Sequence, residues 1–319
     1  MLPSLLFPFA VAFVFSMVLT PFTISFARKF KLVDDPKTHK HPAVIHKKVL
    51  PRAGGIPIFL SLVLAMILFL PSDKTSLSII AAGALVVIIG ILDDKFDLSP
   101  YLRFAGNILC ASVVVLAGVE IPFITNPLGG ILDFTNFSFS FLGINVTTGS
   151  FLAIAWIVWV MNMLNWSKGV DGQMPGIAVV SAVIIGIASL RFPVITDNNI
   201  FTSQLSFIVA GASLGFLFYN FYPAKIFPGY SATILGFMLG VVSIMSSVKL
   251  ATAILVMGVP TVDALFTITR RILSKKSPFW GDRGHLHHLL LAQRMSQRQI
   301  ALFYWSMSLL LGLFALTLS

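Results

Sequence analysis

Residues 162–172 read Asn-Met-Leu-Asn-Trp-Ser-Lys-Gly-Val-Asp-Gly, and the rest of the chain is organised around this stretch. It follows an apolar run at 151–160 without a break, and a further apolar run begins at residue 177. Amides, charges and glycines at the end of a membrane-length helix are costly to place in lipid. Asn162 and Asn165 would share one helix face, because residues three apart are neighbours on a helix. The stretch is therefore either a polar connecting loop or a substrate or ion site at a membrane surface.

The composition excludes a soluble globular domain. Of the 319 residues, 57% are apolar and 11% are charged, and the mean hydropathy is +0.93. Apolar runs of roughly 20 residues, the length that crosses a bilayer, recur along the whole chain. We predict an all-α, polytopic integral membrane protein with a single domain, residues 1–319. The N-terminal run lacks a basic leader and a cleavage site and indicates a retained first span. The lone Cys110 excludes disulfides and zinc clusters.

About ten transmembrane helices are predicted from the apolar runs. Their ranges are 2–26, 53–70, 77–92, 101–119, 150–165, 174–191, 201–221, 231–248, 250–272 and 299–318. In or beside the loops of one face lie 19 of the 22 Lys and Arg residues. This excess predicts a cytoplasmic face there, with both the N- and C-termini outside. The cytoplasmic loops would be about 27–52, 93–103, 162–173, 220–230 and 273–298, and an external segment would span about 120–149.

The net charge of +10 follows from this orientation and does not indicate a nucleic-acid partner. All six histidines fall in the same cytoplasmic loops: His39, His41, His46, His285, His287 and His288. The external segment contains prolines, glycines and alternating phenylalanines, which predict a hairpin or a surface segment. Its only charges are Glu120 and Asp133. Any chemistry is therefore predicted on the cytoplasmic face.

The third predicted span ends in Asp93-Asp94-Lys95-Phe96-Asp97. Adjacent carboxylates repel each other unless a cation lies between or beside them. At a membrane surface, a divalent ion that bridges to phosphate oxygens would supply that cation. A solvated helix end, with Lys95 beside the carboxylates, is the alternative.

A second polar motif spans residues 281–288, Gly-Asp-Arg-Gly-His-Leu-His-His. Its imidazoles, together with Arg283, can donate to a diphosphate or coordinate a metal. A structural polar loop is the alternative. In the first loop, Lys47 and Arg52 lie near paired glycines that suit a close approach of backbone to phosphate. Asp263, behind Pro260 in the ninth predicted span, is either functional or a partner for helix ends that the proline frees.

Taken together, these residues resemble the polyprenyl-phosphate N-acetylhexosamine-1-phosphate transferase family over about residues 32–290. This family includes the phospho-N-acetylmuramoyl-pentapeptide transferases and the enzymes that start O-antigen and teichoic-acid synthesis. The motifs that carry the resemblance are Val33-Asp34-Asp35-Pro36 with His46 and Pro51-Arg52-Ala53-Gly54-Gly55, Leu92-Asp93-Asp94, Asn162-x-x-Asn165 with Gly169-x-Asp171-Gly172, Asn220-x-x-Pro223-Ala224-Lys225, and His285-Leu286-His287-His288.

The resemblance implies that a UDP-N-acetylhexosamine and a polyprenyl phosphate, such as undecaprenyl phosphate, are the substrates. The products would be a polyprenyl diphosphate sugar and UMP, in the first membrane step of cell-wall or surface-polysaccharide synthesis. It also implies Mg²⁺ as cofactor, the plasma membrane as location and a homodimer through the spans. Phosphoryl transfer depends on positioning and charge neutralisation, which these polar residues suit.

The motifs and the resemblance together predict the site residues. Catalytic roles are predicted for Asp93, Asp94, Asp171 and His287, and Mg²⁺ ligation for Asp94 and Asp171. Substrate binding is predicted for Lys47, Arg52, Asn162, Asn165, Lys168, Asn220, Lys225, Tyr230, Arg283, His285 and His288.

Two positions depart from the family pattern, which has an aspartate where this chain has Lys168 and another where it has Tyr230. A neutral phenol is a poor ligand for Mg²⁺, which takes hard anionic oxygens. We hypothesise that Lys168 supplies part of the missing positive charge and that Tyr230 hydrogen-bonds a phosphate or the sugar. Three functions stay open at this point: an active transferase, an inactive relative that binds the lipid phosphate or nucleotide sugar, and an unrelated transporter or channel.

Overall fold

The computed structural model describes residues 2–37, 48–125, 129–136, 138–141, 144–246 and 250–318. Its α-helices are α1 (Leu2–Lys29), α2 (Gly55–Phe69), α3 (Lys74–Phe96), α4 (Pro100–Leu116), α5 (Thr148–Trp166), α6 (Gln173–Ala188), α7 (Asp197–Asn220), α8 (Ile234–Met245), α9 (Leu250–Val256), α10 (Gly258–Leu273), α11 (Leu286–Ala292) and α12 (Gln297–Leu318). A 3₁₀ turn at Ser231–Thr233 leads into α8. The strands are β1 (Val33–Asp34), β2 (Leu50–Pro51), β3 (Phe123–Thr125), β4 (Ile131–Asp133), β5 (Ser138–Phe141) and β6 (Ile144–Thr147).

The helices are those of a multi-pass membrane protein. In the described residues, α1, α3, α5, α7 and α12 are each long and apolar enough to cross a bilayer, and α9 with α10 would make a sixth span. The single span predicted at 250–272 is divided, because α9 and α10 meet at an angle of 83°. Gly258 and Pro260 lie at this break, and proline cannot donate a backbone hydrogen bond. Each of the ten predicted segments contains helix, and how many of them cross the membrane stays a prediction.

Helix packing leaves one side of α1 for lipid. α1 packs along α7 and α2, α6 lies against α7 and α12, and α5 packs on α8. Small polar side chains bring helices close, as where Ser16 Oγ donates to the carbonyl of Ala212 at 2.7 Å. The other face of α1 exposes large apolar side chains such as Phe7 and Phe22. This arrangement fits a helix at the edge of a bundle in contact with acyl chains.

The segment predicted as a hairpin or surface element forms two antiparallel hairpins. β3 pairs with β4 from Phe123 opposite Asp133, and β5 pairs with β6 from Ser138 opposite Thr147. The prediction of an all-α chain omits these short strands and the β1–β2 pair, because runs of two to four residues give a weak periodic signal. Glu120, ahead of the first hairpin, accepts a hydrogen bond from Thr147 Oγ1 at 3.0 Å and so joins the start of this segment to its end, next to α5.

Candidate active site

A cavity of about 430 Å³ lies where the connections between the helices meet. Its walls come from the β1–β2 hairpin, the α3–α4 turn, the end of α5 with the α5–α6 loop, the α7–α8 loop and the segment from α10 to α11. It brings together eleven of the residues predicted from the sequence: Arg52, Asp93, Asp94, Asn162, Asn165, Lys168, Asp171, Tyr230, His285, His287 and His288. Residues distant in sequence therefore share one chamber.

Three predicted binding residues do not line this cavity. Asn220 is buried and its amide is used internally, since Nδ2 donates to the carbonyl of Ile226 at 2.9 Å and Oδ1 accepts from the Gly172 N–H at 3.0 Å. Lys225 is exposed, with its ammonium 5.6 Å from the centre of the Tyr219 ring. Arg283 is exposed outside the cavity wall, and Lys47 lies outside the described residues. In the structure, Asn220 supports the cavity wall by joining the α5–α6 loop to the α7–α8 loop.

The Asp94 carboxylate holds the α7–α8 loop. Its Oδ1 accepts from the Tyr230 N–H at 2.7 Å and its Oδ2 from the Ser231 N–H at 3.4 Å. The loop reaches the carboxylate because Gly229 has a φ of +66°, and a Cβ at this position would overlap the Asp94 carboxylate. Asp94 is thus an acceptor for main-chain donors of the cavity wall.

Lys168 lies beside the same loop. Its Nζ donates to the carbonyl of Gly229 at 3.0 Å and lies 5.7 Å from the centre of the Tyr230 ring. Burial lowers the pKa of Lys168 to about 8, and the nearby Asp94 carboxylate limits this fall. At neutral pH the side chain is therefore mostly a positively charged ammonium on the cavity wall.

The Tyr230 side chain is fixed by its hydroxyl. Asn107 Nδ2, on α4, donates to this oxygen at 3.1 Å, and burial raises the pKa of Tyr230 to about 12. The ring also lies 5.4 Å from the guanidinium of Arg103. The hypothesis that the hydroxyl bonds a phosphate or a sugar stays a prediction; in the structure Asn107 engages that oxygen, and two cations lie near the ring.

Three buried polar atoms on the cavity walls have no hydrogen-bond partner in the part of the chain that the structure describes: Asp93 Oδ1, Asn165 Oδ1 and His287 Nδ1. The first lies 3.5 Å from the Arg103 guanidinium, a distance that gives attraction without a hydrogen bond. The His287 ring approaches the α5–α6 loop so closely that a Cβ at Gly169 would overlap it. A buried polar atom without a partner costs about 1–3 kcal/mol, so a polar ligand that satisfied these atoms would recover that free energy.

The histidine cluster is held from behind by charged residues. His285 Nδ1 lies 3.1 Å from Asp263 Oδ2, and the Leu286 N–H donates to Asp263 Oδ1 at 2.7 Å. Asp263 therefore positions the start of α11, which explains an intramembrane carboxylate that the sequence left open. On the other side, Arg271 Nη2 lies 3.5 Å from His285 Nε2.

The neighbouring imidazoles are neutral at pH 7. Burial, aided by His288 and His285, lowers the pKa of His287 well below its usual value. Burial and the nearby His285 and Arg283 lower the pKa of His288 to about 4. These two rings therefore contribute hydrogen-bonding atoms, and positive charge comes from lysine and arginine. Although burial alone would raise the pKa of Asp282, Arg271 and the Gly284 N–H hold it at about 2.

The two carboxylates predicted to ligate Mg²⁺, Asp94 and Asp171, are engaged by the main chain and do not form a preformed Mg²⁺ site. Mg²⁺ takes near-octahedral oxygen ligands at about 2.0–2.1 Å. Asp94 accepts two backbone N–H groups, and Asp171 Oδ2 accepts the Ala224 N–H at 3.0 Å. Among the described residues, no group of three or more His, Cys, Asp or Glu side chains could hold a metal ion. The two predicted ligands instead bind the main chain.

Sequence reasoning assigned no site role to several cavity residues, chiefly Asp34, Arg103, Arg271 and Asp282, although Asp34 and Asp282 stand in the quoted motifs. One signal was available for Arg103, since it and Asn107 are four residues apart on α4 and mark a polar face in an apolar helix. Asp34 forms a 2.8 Å ion pair with Arg52, which the β1–β2 pairing brings together. The positions of Arg271 and Asp282 depend on how the helices pack, which the sequence does not show.

Comparison with known proteins gives consistent relatives. Residues 76–247 match the family model described as Glycosyl transferase family 4. A probable undecaprenyl-phosphate N-acetylglucosaminyl 1-phosphate transferase of Bacillus subtilis is 31% identical, across 100% of this chain and 87% of the relative. A decaprenyl-phosphate N-acetylglucosaminephosphotransferase of Mycobacterium leprae is 31% identical across 82% of this chain and 71% of its own length. An undecaprenyl-phosphate alpha-N-acetylglucosaminyl 1-phosphate transferase of Thermotoga maritima is 29% identical across 95% and 88%, respectively.

Proposed function

We propose that this chain, which belongs to glycosyl transferase family 4, transfers N-acetylglucosamine 1-phosphate from a UDP-sugar to a polyprenyl phosphate. The products are a polyprenyl diphosphate sugar and UMP. The names of the three relatives support the sugar and the acceptor, since each is a transferase acting on undecaprenyl or decaprenyl phosphate. The cavity supports the chemistry.

The observation that carries the proposal is the meeting of a polar cavity and an apolar groove. The groove has a volume of about 410 Å³ and lies between α4, α5 and α10. Asn162, Trp166 and Phe279 line both spaces. A nucleotide sugar needs the polar chamber, and an isoprenoid chain needs an apolar groove open to lipid. A phosphate at the junction would have its chain in the groove and its oxygens in the cavity.

The reaction is an exchange at the β-phosphorus of the UDP-sugar. An oxygen of the polyprenyl phosphate forms a bond to this phosphorus, and the bond from the phosphorus to the bridging oxygen of the diphosphate breaks. The bridging oxygen and its electron pair leave with UMP. Catalysis of such a transfer rests on positioning and on stabilising charge at phosphate oxygens.

The cavity residues divide into two roles. Asp93 Oδ1 is a buried acceptor without a hydrogen bond in the described chain, and it accepts the proton of an acceptor phosphate that enters as a monoanion. Lys168 and Arg103, both near the Tyr230 ring, neutralise diphosphate oxygens. Asn165 and the neutral His287 form hydrogen bonds with the UDP-sugar. Asp171 is a positioning residue, since its N–H and carboxylate bind Gln297 and Ala224, respectively.

The location of the reaction is part of the proposal. A single membrane domain of about ten spans would place the cavity at the cytoplasmic face of the plasma membrane, with both termini outside. The basic residues clustered in the loops on the cavity side support this orientation. Assembly as a homodimer through the spans is proposed by family resemblance alone.

The test is release of UMP by the purified protein in lipid nanodiscs. With UDP-N-acetylglucosamine and undecaprenyl phosphate together, we expect UMP and a lipid-linked diphosphate sugar in equal amounts, detected by mass spectrometry. Omission of the lipid phosphate should abolish UMP release. Binding of both substrates without any product would instead identify a non-catalytic relative.

The groove is tested by filling it. Ala155 is exposed on α5 and lines the groove, so Ala155→Trp would place an indole where the isoprenoid is proposed to lie. Each displaced methylene forfeits about 0.8 kcal/mol. We expect the KM for undecaprenyl phosphate to rise about tenfold, with unchanged affinity for the UDP-sugar.

The matched control is Ala251→Trp, at an exposed position on α9 away from the groove. Ala251→Trp should leave the KM for undecaprenyl phosphate and the affinity for the UDP-sugar unchanged. A short-chain acceptor should be affected less than undecaprenyl phosphate by Ala155→Trp. Equal KM values for undecaprenyl phosphate in Ala155→Trp and the wild type would contradict the assignment of the groove.

A further inference from the structure

Among the basic side chains of the cavity, Lys168 has a different kind of partner from the arginines. Each of three guanidinium groups in the cavity lies near a carboxylate: Arg52 at 2.8 Å from Asp34, Arg103 at 3.5 Å from Asp93, and Arg271 at 3.2 Å from Asp282. Lys168 donates to a carbonyl, that of Gly229. Across the described ranges, no carboxylate oxygen lies within the 4.0 Å of an ion pair with its ammonium. Its charge is therefore less neutralised by contact than that of the arginines.

The position of this ammonium is fixed by the loop beneath it. Asp94 binds the N–H groups of Tyr230 and Ser231, and the Gly229 carbonyl of the same loop accepts from Lys168. The Tyr230 ring lies 5.7 Å from the ammonium, and Asn107 anchors the far end of that ring. The ammonium is thus held at the cavity wall before any ligand enters.

We propose that Lys168 is a tethered cation that binds the diphosphate of the UDP-sugar in place of a divalent metal ion. Donor binding and transfer then proceed without added Mg²⁺. The inference rests on the proposed function and deepens it by assigning the charge that stabilises the donor. It follows from two observations together: Asp94 and Asp171, the predicted metal ligands, are engaged by the main chain, and an ammonium lies beside the Asp94 loop.

A lysine ammonium in place of a metal ion is chemically sufficient to bind the diphosphate. A lysine ammonium is a compact charge with three donors, so it can bond phosphate oxygens while one donor stays on the Gly229 carbonyl. Arg103, 5.4 Å from the centre of the Tyr230 ring, adds a second positive charge. Unlike a dissociable ion, both cations are attached to the chain, so chelators cannot remove them.

The experiment measures donor binding as well as turnover. The full-length protein in nanodiscs is treated with EDTA, and the Kd for UDP-N-acetylglucosamine and the rate of UMP release are measured with EDTA or with MgCl₂. We expect the wild type to change less than about twofold between the two conditions. Lys168→Met should weaken donor binding about 10- to 100-fold in both, the loss typical of a hydrogen bond to a charged group. Lys168→Arg should restore most of the affinity.

Two further variants sharpen the result. Lys95→Met removes an exposed lysine outside the cavity and should bind the donor like the wild type. The double change Lys168→Asp plus Tyr230→Asp restores two carboxylates, and its donor binding should become dependent on Mg²⁺. If Lys168→Met does not fold, the response of the wild type to EDTA and of the double variant to Mg²⁺ decides the question.

The outcomes separate the two proposals. Release of UMP only with Mg²⁺, or wild-type donor affinity in Lys168→Met, overturns the tethered cation and leaves the transferase intact. No UMP and no donor binding under any condition overturns the proposed function, and the inference with it. Turnover in EDTA that is lost in Lys168→Met and regained in Lys168→Arg supports both.

Discussion

Asp93→Asn is expected to lower kcat for UMP release at least about 100-fold, the usual cost of losing a preorganised catalytic group. The Asp93 side chain is buried on the cavity wall, and its Oδ1 lacks a hydrogen-bond partner in the described chain. Asparagine keeps the shape of the side chain but cannot accept a proton. Because the change leaves the donor-binding groups in place, the Kd for the UDP-sugar should change less than about threefold. Steady-state UMP release and calorimetry measure the two quantities.

Asp97→Asn is the matched control for this effect. Asp97 lines the same cavity at the same helix end, but it is exposed and its φ is +50°, a conformation that asparagine tolerates. We expect its kcat within about threefold of the wild type, since a solvated carboxylate contributes little. An equal loss in both variants would show that the total charge of the cavity matters and that Asp93 has no special role.

Much of the site was predictable because its residues interrupt apolar helices. Asp93 and Asp94 close α3, and Asn162 and Asn165 close α5, where carboxylates and amides have no place in lipid. Their placement on one side of the membrane was predicted from the number of Lys and Arg residues in the loops of each face. The structure places all four in one cavity. Their roles stay predictions that the variants test.

Side chains with two uses were not distinguishable from the sequence. An asparagine in a loop can bind a ligand or the main chain, and Asn220 does the second because α7 ends beside Gly172. Tyr230 lines the cavity as predicted, and its hydroxyl also meets Asn107, 123 positions away, a contact that the sequence does not indicate. The sequence shows the presence of these groups, and only helix packing decides their partners.

Burial was the second quantity hidden from the sequence. The three histidines near Arg283 were predicted to donate to a diphosphate or to coordinate a metal, and the sequence does not show that His287 and His288 are buried and neutral at pH 7. The positive charge of the cavity comes from its arginines and from Lys168. Arg103 reaches Asp93 because the left-handed residue Asp97 ends α3 and lets α4 turn back. The burial of these histidines, which the sequence does not show, therefore decides which side chains of the cavity carry positive charge.

Asp94→Ala is expected to lower activity strongly by a different route from Asp93→Asn. Asp94 is buried and accepts the N–H groups of Tyr230 and Ser231. Ser231 Oγ in turn accepts the Gly55 N–H at 3.1 Å, so the loop links α3 to the start of α2. Alanine would leave two buried donors without partners, each costing about 1–3 kcal/mol. We expect a fall in Tm of at least about 4 °C and a loss of kcat of at least about 100-fold.

Asp94→Asn separates the acceptor from its charge. An asparagine oxygen can still accept the Tyr230 N–H, so the Tm should return to within about 2 °C of the wild type. The negative charge beside Lys168 is lost, and part of the activity should stay lost with it. Thermal unfolding and UMP release are measured on both variants. Because Asp94 is proposed to hold the loop that carries Lys168 and Tyr230, a wild-type Tm in Asp94→Ala would contradict this role. Equal losses of stability in the two variants would assign the effect to charge.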